Sequence, residues 1–225
     1  MNKIQSFYEN LLKEYGHQGW WPLLCCEGCN PTKTGSVKGY HPKDYSYPKT
    51  DNQRFEICIG AILTQNTSWV NVEKALINLK KLKAINAKAL LELKDGDLKR
   101  AIKPAGYYNQ KARKLKEFST FYLMLKGKTP LREELLGVWG IGPETADSIL
   151  LYGYKVASFV IDAYTKRIFS NLGFKENSYD SLKELFEKNL KKDYRIYQEY
   201  HALIVEHGKR YLKKEKNCIL SDIIC

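Results

Sequence analysis

The chain has 225 residues, with 37 Lys and Arg against 25 Asp and Glu and a formal net charge of +12. That length suits one or two domains with a real core, and the positive excess favours a polyanionic partner. The sequence has no run of about eighteen apolar residues, and residues 1–5 lack a signal-peptide apolar stretch. A soluble, cytoplasmic protein is expected, its six cysteines being reduced thiols or ligands rather than disulfides.

Phe7, Leu11 and Leu12 mark a first helix. Residues 19–50 form an irregular stretch rich in Gly, Pro, Tyr and Cys, which holds Trp20-Trp21-Pro22 and the C-x2-C pair Cys26 and Cys29. Helical periodicity then runs over 57–63, 70–82, 87–93, 98–102 and 112–125, with Gly and Pro between the segments, and returns over 182–190 and 197–212. With no internal repeat and no convincing set of strands, the expected fold class is all-α.

The most informative stretch is Leu135-Leu136-Gly137-Val138-Trp139-Gly140-Ile141-Gly142-Pro143-Glu144-Thr145-Ala146. Leu135, Leu136 and Val138 close a short helical turn. Gly140 and Gly142 make a tight turn around Ile141, and Pro143 suits the first position of a new helix over 144–153. Backbone N–H groups at such a helix start hold a phosphate oxygen without reading base sequence. Downstream, the apolar run 156–161 ends at Asp162, a fitting N-cap for a helix through Tyr164, Ile168, Phe169 and Leu172 that stops at Gly173.

The span 135–173 resembles the helix-hairpin-helix glycosylase superfamily, typified by endonuclease III, in which the Asp after such a run both caps its helix and faces the catalytic pocket. The resemblance extends to Phe55-Glu56-Ile57-Cys58-Ile59-Gly60-Ala61-Ile62-Leu63-Thr64-Gln65-Asn66-Thr67, similar to the family's first barrel helix and duplex-entering loop. It extends also to Gly106-Tyr107-Tyr108-Asn109-Gln110-Lys111-Ala112, similar to a second signature that leads into a basic helix. It implies a six-helix barrel over 53–153 and a second helical lobe from 1–52 and 154–225, with the cleft between them. DNA contacts are implied for Gly137, Gly140, Ile141, Gly142, Thr145, Lys111, Gln65 and Asn66, with Gln65 filling the space left by a flipped base.

Members of the family that also cut the strand carry a Lys two residues after Gly142, whose amine forms a Schiff base with the sugar. This chain has Glu144 there, which implies a monofunctional glycosylase that uses water, with Lys209 as the lysine to watch. Asp162 would stabilise the developing sugar cation and orient or deprotonate the water. Trp20, Trp21, Tyr107 and Lys209 are the expected base pocket. The W-W-P motif resembles the branch containing bacterial 3-methyladenine glycosylases, and aromatic faces attract a cationic alkylpurine. Uracil or 8-oxoguanine would instead need directed donors, for which Asn52, Gln53 and Asn66 are candidates. A non-catalytic DNA-binding module is the reading from another class.

Endonuclease III and many relatives hold an iron–sulfur cluster on four tail cysteines. After His207 this chain has only Cys218 and Cys225, so neither cluster nor zinc is expected. The rival is a four-thiolate site from Cys26, Cys29, Cys218 and Cys225. The expected partner is duplex DNA with damaged bases, bound by a nucleoid-associated monomer.

Overall fold

The computed structural model describes residues 2–33, 36 and 38–214. Among them the chain is mostly helical: α1 Lys3–Tyr15, α2 Asp51–Leu63, α3 Trp69–Lys81, α4 Ala87–Glu92, α5 Asp95–Ile102, α6 Tyr108–Met124, α7 Arg132–Leu136, α8 Pro143–Ser148, α9 Ala163–Asn171, α10 Tyr179–Asn189 and α11 Tyr194–Lys214. Several helices start about a turn before their apolar periodicity does, because the first turn is polar and capped. In α2, Thr50 and Gln53 form a reciprocal capping box ahead of the buried run that begins at Phe55. In α5, Asp95 and Asp97 occupy the first turn, where the helix dipole favours them.

Two departures from the sequence expectation matter for the site. Residues 28–40 contain a small antiparallel ribbon, Gly28–Cys29 with Lys38–Tyr40, too short to show an alternating pattern. The helix expected over 144–153 is α-helical only through Ser148 and widens into a π-helical stretch, Ile149–Gly153. Wide turns of this kind occur often at functional sites, and here the stretch carries Tyr152.

The packing forms two sets of helices. α2, α3, α4, α5, α6, α7 and α8 pack among themselves, while α1, α9, α10 and α11 pack together, and the π stretch touches both α2 and α11. One apolar core runs through both sets. The irregular segment straps them together. Gln18 N donates to Glu199 of α11 at 2.6 Å, Leu24 N to Glu56 of α2 at 2.7 Å, and the Thr32 hydroxyl to Glu206 of α11 at 2.7 Å. Glu56 is buried, and that burial pushes its carboxyl up to about 7 against the pull of the Leu24 amide.

Asp147 locks the hairpin to the second set. It is fully buried and accepts from Arg132 Nε and an Nη at 3.0 and 3.1 Å, from Ser158 at 2.6 Å, from Tyr179 at 2.8 Å and from Lys183 at 3.2 Å. Burial opposes its charge, but the Arg132 hydrogen bonds, the Lys183 charge and the two hydroxyls outweigh it and hold the carboxyl below its usual value. This stabilisation is therefore present above the ordinary carboxylate pKa and lost as pH falls through the lowered one. Asp147→Asn strands two cations beside a dry site and should cost about 3–5 kcal/mol in urea unfolding. A loss under about 1 kcal/mol, the range of an exposed pair, would show the network to be incidental.

Candidate active site

Asp162 ends the extended run 156–161 and caps α9. Its Oδ1 accepts both the Thr165 N–H and the Thr165 hydroxyl at 2.7 Å. That oxygen is committed to the helix start, leaving Oδ2 free of the cap. His201 Nε2 of α11 lies 3.9 Å from Oδ2. Behind the imidazole, Tyr152 Oη lies 2.7 Å from Nδ1 and donates to Gln198 O at 3.1 Å.

The aromatic wall divides in two. Trp20 is half-buried and sets its ring edge-on to His201, with centroids 5.9 Å apart. Trp21 is 7% exposed and sits between Trp69 and Tyr152, with centroids at 5.3 and 5.0 Å. A Cβ on Gly60 would come within 3.1 Å of the Trp21 Nε1, so a glycine is what lets the indole lie on α2. The expectation that both indoles line the pocket needs correcting: Trp21 is a core residue, and Trp20 is half-buried against His201. Tyr107 is also displaced. It is 66% exposed, with φ +44° at the start of α6, and projects from the surface instead of joining the indoles.

Glu144, in the first turn of α8, opens onto solvent. Crowding of its carboxyl by surrounding protein, with the nearby Asp162 charge, pushes it up to about 7 against the pull of Lys166. Lys209 holds its ammonium 2.6 Å from Glu206 and 5.3 Å from the Trp20 ring centroid. Two candidate donors to a neutral base are accounted for elsewhere. The Gln53 side chain is spent on the Thr50 cap and the Cys25 sulfur, and Asn52 is exposed in the first turn of α2.

On the hairpin, Gly140 has φ +83°, and a Cβ there would strike the Lys114 side chain at 2.6 Å. Gln65 Nε2 donates to Gly140 O at 3.1 Å and to the Thr145 hydroxyl at 3.0 Å, while Lys114 donates to the Gln65 carbonyl. Gln65 is thus bolted to the hairpin, not poised to fill a vacated base site, and its neighbour Asn66, exposed with φ +55°, forms the tip of the loop. Ile141 and Thr145 are buried and act as the hairpin's anchors. Lys111 likewise turns inward: 2% exposed, it donates to Leu63 O and Ala105 O, both at 2.8 Å. Burial and then Lys114 pull it down to about 8. It staples the end of α2 to the 3₁₀ turn Lys103–Ala105, and its ammonium is not on the DNA-facing surface.

Sequence reasoning missed His201, Tyr152 and Asp147. The metal question turns on cysteines: Cys25 and Cys29 are exposed, Cys26 is half-buried, and Cys58 is buried within α2. Among the described residues no group of three His, Cys, Asp or Glu side chains is arranged to hold a metal ion, and Cys218 and Cys225 lie outside the described residues. The two tail thiols also fall short of the four that an iron–sulfur cluster takes.

A capped carboxylate beside an aromatic wall, flanked by a glycine hairpin, is the arrangement of a base-excising enzyme. Residues 59–192 match the HhH-GPD superfamily of base excision DNA repair proteins, and the chain belongs to that family as a DNA glycosylase of its endonuclease III-like group. It is 44% identical to a candidate DNA repair glycosylase of Methanocaldococcus jannaschii over 96% of this chain and 91% of that one. It is 32% identical to endonuclease III of Thermotoga maritima over 72% and 76% of the two chains. Among solved structures, the H. pylori 3-methyladenine DNA glycosylase bound to 1,N6-ethenoadenine superposes with a TM-score of 0.71 at 27% identity, covering 96% of this chain and 100% of the other.

Asp162→Asn keeps a capping oxygen and removes the charge. Base release should fall by about 100-fold or more, with duplex affinity and melting temperature close to wild type. Release at the wild-type rate would remove Asp162 from the chemistry.

Proposed function

We propose that this chain is a monofunctional glycosylase that flips an alkylated purine out of duplex DNA and hydrolyses its N-glycosidic bond, acting as a monomer from the cleft between the 53–153 lobe and the lobe of 1–52 and 154–225. The observation that carries the proposal is the carboxylate of Asp162, one oxygen fixed by Thr165 and the other free of the cap, 3.9 Å from His201. A hydrolytic departure builds positive charge on the sugar, which a fixed anion stabilises more than it stabilises the ground state. A mere phosphate clamp has no use for such an anion, which argues against a non-catalytic DNA-binding module.

The hydrolytic end point rests on Glu144 and Lys209. A carboxylate at the position of the family's lyase lysine forms no imine, and Lys209 is tied to Glu206 at 2.6 Å. The alkylpurine assignment is supported by the likeness to the 3-methyladenine glycosylase over nearly the whole chain and by Trp20 against His201, itself next to Asp162. Because Lys209 already lies over that indole, selectivity rests more on the lability of an alkylated glycosidic bond than on attraction of a cationic base to the ring. Uracil and 8-oxoguanine are disfavoured because Gln53 and Asn52 are placed elsewhere.

For DNA binding, the proposal gives the phosphate contacts to the backbone of Gly137, Gly140 and Gly142 and the probing of the duplex to Asn66 and Tyr107, both exposed and both with positive φ. Gln65, Thr145, Ile141 and Lys111 hold that surface in shape. No iron–sulfur cluster or zinc is part of the proposal, and metal analysis of purified protein should find neither at stoichiometric level.

The test is base release from duplexes carrying 3-methyladenine, uracil or 8-oxoguanine, with borohydride present in parallel. Release from the alkylated duplex, an intact strand until alkali is added and no trapped adduct are the expected results. A robust covalent adduct would overturn the monofunctional reading, and preferential uracil or oxoguanine release would overturn the substrate assignment. The indoles separate in the same assay: Trp20→Ala should lower release with the fold retained, whereas Trp21→Ala should cost about 3–5 kcal/mol of stability. The reverse pattern would place Trp21 at the base.

A further inference from the structure

His201 is 4% exposed, and its Nε2 is buried with no hydrogen-bond partner among the described residues. A buried polar atom without a partner is costly, so its placement 3.9 Å from the uncapped oxygen of Asp162 calls for a reason. The network behind it favours one tautomer. Tyr152 Oη gives its single proton to Gln198 O at 3.1 Å and therefore accepts from His201 Nδ1–H at 2.7 Å. In the neutral ring Nε2 is then a bare lone pair, buried and 3.9 Å from Asp162 Oδ2.

We infer that His201 is the proton-accepting and positioning partner of Asp162, its Nε2 taking on the proton that Asp162 removes from the attacking water. The inference rests on the hydrolytic reading above. As the glycosidic bond breaks, its electron pair leaves on the base, and the water oxygen bonds to the anomeric carbon. One water proton passes to Asp162 Oδ2 and on to Nε2, giving an imidazolium beside a restored carboxylate, and the proton then returns to solvent. A cationic alkylpurine departs neutral, so no further co-reactant is required. Closing the 3.9 Å gap to hydrogen-bond length asks for a shift of about 1 Å, within the reach of side-chain adjustment.

The electrostatics agree. His201 is held below the ordinary histidine value by burial first; Asp162 acts in the opposite direction, and Lys209 adds to the lowering. The groups facing it are Asp162 from the cap of α9, Lys209 on its own helix and Tyr152 from the π stretch, behind which lies Glu199, with Glu144 beyond Asp162. The ring is thus neutral and ready to accept at pH 7. Acidification through its lowered pKa fills Nε2 and sets a cation against the charge Asp162 offers to the sugar.

Single-turnover release from a 3-methyladenine duplex, followed from pH 5 to 8 (a span of roughly the range in which histidines titrate), tests this in wild type, His201→Gln and Tyr152→Phe, with duplex affinity and melting temperature measured alongside. His201→Gln has no site that takes up a proton, so its rate should fall about 100-fold at neutral pH with affinity unchanged, and the acid limb of the wild-type profile should flatten. Tyr152→Phe leaves the ring in place but frees the tautomer, and should give a smaller loss with the limb shifted. Wild-type rates and profiles in either variant would overturn the inference while leaving the hydrolytic reading intact. So would losses that track affinity or melting temperature, the mark of a packing role. If His201→Gln does not fold, Tyr152→Phe decides alone. No release by the wild type from any damaged duplex would overturn the hydrolytic reading, and this inference with it.

Discussion

The site depends on one carboxylate with two obligations. Thr165 takes both available bonds to Asp162 Oδ1, through its amide and its hydroxyl, so the start of α9 fixes the side chain in a single orientation. An exposed aspartate would be free to rotate and to gather water, and its charge would be diluted by a high dielectric. Here helix formation aims the second oxygen before substrate arrives, so that stabilisation of the sugar cation involves little reorganisation. A buried cap of this kind spends a fixed anion that a purely structural Ser or Asn would not need.

Three elements distant in sequence make that oxygen useful. The irregular segment brings Trp20 against His201 while planting Trp21 between α2 and the π stretch. The widened turn at Ile149–Gly153 carries Tyr152 to His201. The Asp147 network ties the hairpin to the extended run that ends at Asp162. Hairpin and carboxylate are therefore linked through one buried network, so under the proposed binding mode phosphate contacts at Gly140 and Gly142 would bear on where the sugar meets Asp162. Lys111 and Gln65 hold the segments that carry Tyr107 and Asn66, through Ala105 and Leu63 and through the hairpin, without standing among the surface charges.

What could be read in the sequence was local. Glycine and proline dictate the hairpin turn by their own backbone limits, and an Asp at the boundary of an apolar run announces a cap, so the all-α class, the hairpin and Asp162 were legible. Partnerships across the chain were not. Lys111 resembles any basic residue on a helix until the carbonyls of Leu63 and Ala105 are seen around its ammonium. Trp20 and Trp21 are neighbours of identical chemistry, and only the path of the irregular segment decides which is buried. His201 sits among apolar residues of α11 and looks like an ordinary core histidine, with no hint of Tyr152 or Asp162, 49 and 39 residues away. Helix starts were read late wherever a polar first turn precedes the apolar stripe, as at Asp51 and Asp95.

The central claim, that Asp162 Oδ2 faces the sugar at the moment of bond cleavage, is tested most directly by the structure of this protein with a duplex carrying a pyrrolidine abasic nucleotide, whose ring cation imitates the charge of the departing sugar. The account predicts the ring nitrogen at about 3 Å from Asp162 Oδ2, with Oδ1 still held by Thr165 and the vacated base space beside Trp20. A ring nitrogen paired with Glu144 instead, or an Asp162 that leaves Thr165 to reach it, would contradict the account.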